Sequence, residues 1–203
     1  MASETDIANQ ALVLIGASKI TDIDSATEVN AVRVNTFFDS TRDALLRRYQ
    51  PKFATKRTSI TANVTPPAFG RANAYDLPSD YLAPLAPYPE DDILSLDWII
   101  EGDQIVTDDA SPLKLRYTAQ ITTTTSFDAT FVKLLAAALA VECCEAITQS
   151  TSKKGAADEY FKKALAACVE ANSFEQVNHI TPEDSWVNIR FYGEDNTKSW
   201  YGG

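Results

Sequence analysis

Phe127-Asp128-Ala129-Thr130-Phe131-Val132-Lys133-Leu134-Leu135-Ala136-Ala137-Ala138-Leu139-Ala140-Val141-Glu142-Cys143-Cys144 is the stretch on which the architecture turns. Phe131, Leu134, Leu135, Ala138, Leu139, Val141 and Cys143 cover much of a helical circumference instead of one stripe. That pattern predicts a helix running to about Thr148 and buried on more than one side. Asp128 stands where an N-cap belongs, and Ala136-Ala137-Ala138 lets neighbouring helices come close. The run falls short of the roughly 18 apolar residues a bilayer requires, and Glu142 and Glu145 follow it. Such a helix needs partners on several sides, and the rest of the chain supplies them.

Three further helices are expected. The first starts near Ser3 or Thr5, where Ser3 and Asp6 have capping-box spacing, and stops at Gly16, which accepts positive φ cheaply. The second begins at the capping box Ser25-Ala26-Thr27-Glu28 and runs to Tyr49, where Pro51 ends or kinks it. Its expected buried stripe is Val29, Val32, Phe37, Ala44, Leu45 and Tyr49. The fourth runs from about Lys154 to Phe174, with Tyr160, Phe161, Leu165, Cys168 and Val169 inward.

Between the helix pairs, about 55–121, β-branched and aromatic residues alternate with Pro, Asn and Gly. Thr58–Asn63 reads as a weak strand and Ala74–Leu77 as extended chain. A hairpin turns at Gly102-Asp103, and Leu113–Ala119 is a further strand. Together they read as one small antiparallel sheet. The fold class is therefore mainly α with a small antiparallel β region (α+β): a four-helix body over 1–174 with a β-rich insertion, and an extended C-terminal arm over 175–203. That arm carries Trp186, Phe191, Tyr192, Trp200 and Tyr201 without helical period. Aromatics on an irregular arm imply docking, either on this domain or on a neighbour.

The 203 residues carry a formal net charge of −10, poorly suited to gripping phosphates but compatible with a wall that DNA passes. The three cysteines, Cys143, Cys144 and Cys168, form no CxxC motif and read as buried thiols, consistent with assembly in a reducing cytoplasm. The acidic opening Met1–Asp6 lacks the basic-then-apolar pattern of a secretory signal.

Little points to catalysis. The single histidine, His179, lies in no triad-like setting, and no glycine pattern would cradle a phosphate. Asp91-Asp92, Asp108-Asp109 and Glu183-Asp184 are adjacent carboxylates of the kind that mark solvated turns. No cofactor or metal is implied. Basic residues concentrate at Arg42, Arg47, Arg48, Lys52, Lys56 and Arg57, with Tyr49 and Phe53 interleaved. This cluster either complements the helix end and the domain's own acids, or faces a partner or DNA.

Several separated motifs occur in a specific order. They are Ala8-Asn9-Gln10-Ala11-Leu12 with Ile15-Gly16; Arg47-Arg48-Tyr49 leading to Phe53-Ala54; and Tyr75-Asp76-Leu77-Pro78-Ser79-Asp80-Tyr81-Leu82. Ile99-Ile100-Glu101-Gly102-Asp103-Gln104-Ile105-Val106-Thr107-Asp108 follows, then Leu115-Arg116-Tyr117 and Phe127-Asp128-Ala129-Thr130-Phe131. In this order and spacing the chain resembles the tail tubular protein A family, the head-to-tail adaptors (connectors) of short-tailed bacteriophages, over about residues 5–172. It departs where the family often has Trp-Asn before Phe-Ala and this chain has Gln50-Pro51-Lys52.

The resemblance implies a virion structural protein without enzymatic activity. Such a protein forms a ring of twelve self-copies below the portal protein, with the tail nozzle protein docked beneath. DNA passes through the channel without sequence-specific binding, and no membrane is involved. The expected location is the virion tail or neck after assembly in the host cytoplasm. The C-terminal aromatics, with Arg47 and Arg48, are the expected partner-binding residues. The alternative is a tail-associated glycan or peptidoglycan hydrolase using a carboxylate pair, since some relatives have been credited with sugar hydrolysis. A cellular helical binding module is a third reading.

Overall fold

The computed structural model describes residues 2–85 and 97–174. Its elements are four helices, α1 (Glu4–Leu14), α2 (Val29–Tyr49), α3 (Ala129–Thr148) and α4 (Thr151–Phe174), and six strands. The strands are β1 (Thr55–Ile60), β2 (Asn73–Asp76), β3 (Tyr81–Pro84), β4 (Trp98–Glu101), β5 (Gln104–Thr107) and β6 (Leu113–Ala119). The fold is α+β. The C-terminal arm lies outside the described residues.

α3 is the axis of the helical body. Asp128 caps it, accepting from the Thr130 amide, and Phe131, Leu134, Leu135, Leu139 and Ala140 are fully buried. α1, α2 and α4 all pack on it, α4 most extensively. All three cysteines are buried. Burial, then the neighbouring Glu142, pushes the Cys143 thiol up to about 12.

α1 starts as expected, with reciprocal Ser3–Asp6 hydrogen bonds of 3.1 and 2.9 Å. Gly16 takes φ +66° just past its end. Lys153 Nζ donates to the Ile15 carbonyl at 3.0 Å, so the first turn of α4 satisfies the last turn of α1. Asn9 then fastens the following loop. Its Nδ2 donates to the Ile20 carbonyl at 3.0 Å, and its Oδ1 accepts from the Ile20 amide at 2.8 Å. This clamp holds Ile20 and Ile23 in the core.

α2 corrects two expectations. The Ser25 hydroxyl accepts from the Glu28 amide at 3.3 Å, as the capping box requires, but the helix starts only at Val29, and Glu28, its N-cap residue, makes no side-chain cap hydrogen bond. The Glu28 carboxylate instead accepts from the Thr21 amide at 3.1 Å and from the Thr21 hydroxyl, tying down the loop. The buried face is Ala31, Val34, Phe38, Arg42, Leu45 and Leu46. Of the expected stripe Leu45 is buried and Phe37 and Tyr49 are half-buried against the core, whereas Ala44 is exposed and Val29 and Val32 are 62% and 47% exposed. The helix is rotated so that Phe38 and Val34 meet α3, and Arg42 lies on the inner face with its charge met by Asp39 and Asp43 at 2.7 and 2.9 Å. Gln50 closes the helix with φ +46°, its amide donating to Leu46 O, ahead of Pro51. On α4, Cys168 is buried as expected, but Tyr160 and Val169 are about half exposed.

The insertion forms two three-stranded antiparallel sheets, not one: β1-β6-β3 and β2-β5-β4. Leu113, Leu115, Tyr117 and Ala119 alternate along one face of β6 and share a core with Tyr75 and Ile105 of the second sheet. The sheets therefore pack face to face. α2 meets β3 and β6, so the first sheet lies between the helices and the second sheet. The β4–β5 hairpin turns through Gly102-Asp103, with Gly102 at φ +60°.

Candidate assembly surfaces

Two predicted partner residues, Arg47 and Arg48, lie exposed in the last turn of α2. The Arg48 guanidinium stands 5.5 Å from the centre of the Tyr49 ring. Arg47 acts on Tyr81: burial raises that phenol and the Arg47 charge partly offsets the rise. The other predicted partner residues, Trp186, Phe191, Tyr192, Trp200 and Tyr201, lie outside the described residues, as does His179.

The basic cluster does not form one surface. Arg42 is buried between two aspartates. Lys56 pairs with Asp80 at 2.5 Å. Arg47 and Arg48 are left as the outward-facing cations at the helix end.

The motif residues converge in space. Phe53 packs against Phe127 and Phe131 with ring centres 5.8 and 5.1 Å apart, and Phe127 lies 5.2 Å from Phe131. Asp80 accepts from Lys56 Nζ at 2.5 Å and from the Tyr117 hydroxyl at 2.8 Å, joining β1 and β6 to the turn before β3. Burial pushes the Asp80 carboxyl upward, but these two donors outweigh it and hold it below the ordinary carboxylate range. Burial, then the bond to Asp80, pushes the Tyr117 phenol up to about 12. Tyr75 is fully buried and donates its hydroxyl to the Asp109 carbonyl at 2.8 Å. Sequence reasoning missed Asn9 and Asp80 as keystones, because Asn9 meets Ile20 only once the loop after α1 folds back and Asp80's partners lie 24 and 37 residues away.

The carboxylate pair within the described residues, Asp108-Asp109, is built into the second sheet. Asp108 accepts from Arg71 Nη1 at 3.1 Å and from the Ala72 amide at 2.8 Å. The Asp109 carbonyl receives Asn73 and Tyr75. No group of metal-ligating side chains occurs among the described residues, and none of their helices is long and apolar enough to cross a membrane.

Two apolar surfaces face solvent. At the outer end of the second sheet, Val64 is fully exposed and Phe69 90% exposed on the Pro66-Pro67 loop, beside Ile99 of β4. On the helical side, a groove of about 880 Å³ runs between α1 and α4. Val13, Leu14, Tyr160 and Ala164 line it over an α3 floor of Ala136 and Ala137. In comparisons with protein-family models and with curated proteins, the chain matches none.

Proposed function

We propose that this chain is a head-to-tail adaptor of a short-tailed phage, a virion structural protein that forms a ring between portal and tail nozzle. The observation that carries the reading is the convergence of the family-like motifs. Phe53-Ala54 meets Phe127 and Phe131; Asp80 of the Tyr75–Leu82 motif holds Tyr117; Asn9 of the first motif clamps Ile20. Residues scattered over most of the chain thus serve as joints of one fold.

The surfaces support the same reading. Val64, Phe69 and Ile99 cluster in one exposed cleft and Val13 and Tyr160 border another, and clustered exposed apolar side chains favour interfaces. A net charge of −10 repeated around a ring would favour passage of DNA without adhesion. Arg47, Arg48 and the C-terminal aromatics are the portal-facing residues in this proposal, and the virion neck is its location.

The reading is tested by deleting the gene from a phage that carries it. Heads should fill with DNA and then leak it, tails should be missing, and supplying the protein in trans should restore both. Intact tailed particles in the deletion would refute the assignment.

A further inference from the structure

The adaptor reading requires self-association, and the structure carries two surfaces that suit each other. One is the outer tip of the second sheet, with Phe69 and Val64 projecting from it. The exposed acids Glu101 and Asp108 line the same cleft as Phe69 and Val64, and the exposed Asp97 and Asp76 are bonded to its lining residues Arg71, Asn63 and Gln104. Arg71 offsets part of this charge by bridging Asp97 and Asp108. Asp76 is held by the neutral amides of Asn63 and Gln104 and keeps its charge.

The other surface is the groove between α1 and α4. Its apolar walls are rimmed by exposed Lys19, Lys133 and Lys163, against the single acid Asp6. None of the three lysines makes a close ion pair among the described residues, although the Lys163 charge acts on Glu159 of the same helix. The small side chains of Ala136 and Ala137 at its floor leave depth for a ring. Its volume of about 880 Å³ is ample for a few side chains.

The tip and the groove do not meet within one chain. The β region reaches the helices through β3 and β6 on α2, which places the first sheet between the tip and the helical body. We propose that copies of this chain associate head to tail, the acidic tip of one seating Phe69 and Val64 in the lysine-rimmed α1–α4 groove of the next. This rests on the adaptor reading and gives it an interface. Because tip and groove are different surfaces, the contact is heterologous and closes into a ring when its rotation permits. A portal template would supply that closure by raising effective concentration. Opposite charge flanking an apolar anchor gives register and salt dependence.

The test uses the full chain, alone and with portal rings, in sedimentation velocity at two salt concentrations. Phe69→Asp and Lys163→Glu alter exposed side chains, and circular dichroism checks that both variants stay folded. Each should weaken self-association by about tenfold or more, the loss of roughly one anchor contact. Adding Glu101→Lys to Lys163→Glu should restore much of it.

If both single variants assemble like the wild type, the interface is wrong and the adaptor reading stands. If Lys163→Glu weakens assembly while Phe69→Asp does not, another segment, such as residues 175–203, fills the groove and the proposal fails. If the wild type assembles neither alone nor on the portal, interface and adaptor reading fall together.

Discussion

Asp80 shows how much of this fold rests on single polar residues. It lies 24 residues from Lys56 and 37 from Tyr117, yet joins them at the junction of sheet and turn. No local signal in the sequence announces such a residue, because its role exists only once β1, β3 and β6 are registered. Asp80→Asn should lower stability by about 1–3 kcal/mol, since two donors lose a charged acceptor; denaturant unfolding reads this directly. The pH dependence has a definite sign. The folded carboxyl titrates below its unfolded value, so its stabilisation is present above the unfolded value and is lost as pH falls through the folded one. Asp80→Asn should therefore flatten the acid limb of the stability profile. Tyr117 acts at the other end: raised to about 12, its contribution fades as pH climbs from about 10 towards 12. The cysteines give a third residue-scale prediction. All three are buried, so a thiol reagent at neutral pH should label none of them until denaturant is added. Rapid labelling of the folded protein would contradict the packing of α3 against α2 and α4.

Among the elements, legibility in the sequence followed how many faces are buried. α3 is apolar nearly all round, so its length, cap and central position could all be read from residues 127–148. α2 offers two competing apolar faces, one through Val29 and Val32 and one through Ala31, Val34 and Phe38. Helical spacing permits either, and only packing on α3 selects the second. Phe38→Ala should therefore cost about 3–5 kcal/mol, whereas Val32→Ala should stay within about 0.5 kcal/mol. Comparable losses for the two would mean the helix register is wrong. β3 was not recognisable because it is four residues long and ends in Pro84. Its strand character comes from pairing with β6, at a register shift between Tyr81 and Ala83. The division into two sheets was hidden for the same reason, since it depends on which strands pair across long separations.

At the scale of the molecule, a helical body built on α3 carries a two-sheet β unit on one side, and each end presents apolar side chains to solvent. Of the candidate site, the exposed ends of Arg47 and Arg48 were legible from their place in the last turn of α2. The tip and the groove were not, because both are assembled from distant segments. Under the adaptor proposal these surfaces serve a ring on a phage portal. Sedimentation of the purified chain with the portal ring encoded in the same genome puts this proposal to the test. A discrete heavier complex with about one copy of this chain per portal subunit, dissociating as salt rises, is the expected outcome. Clean separation of the two proteins at micromolar concentration and low salt would contradict it.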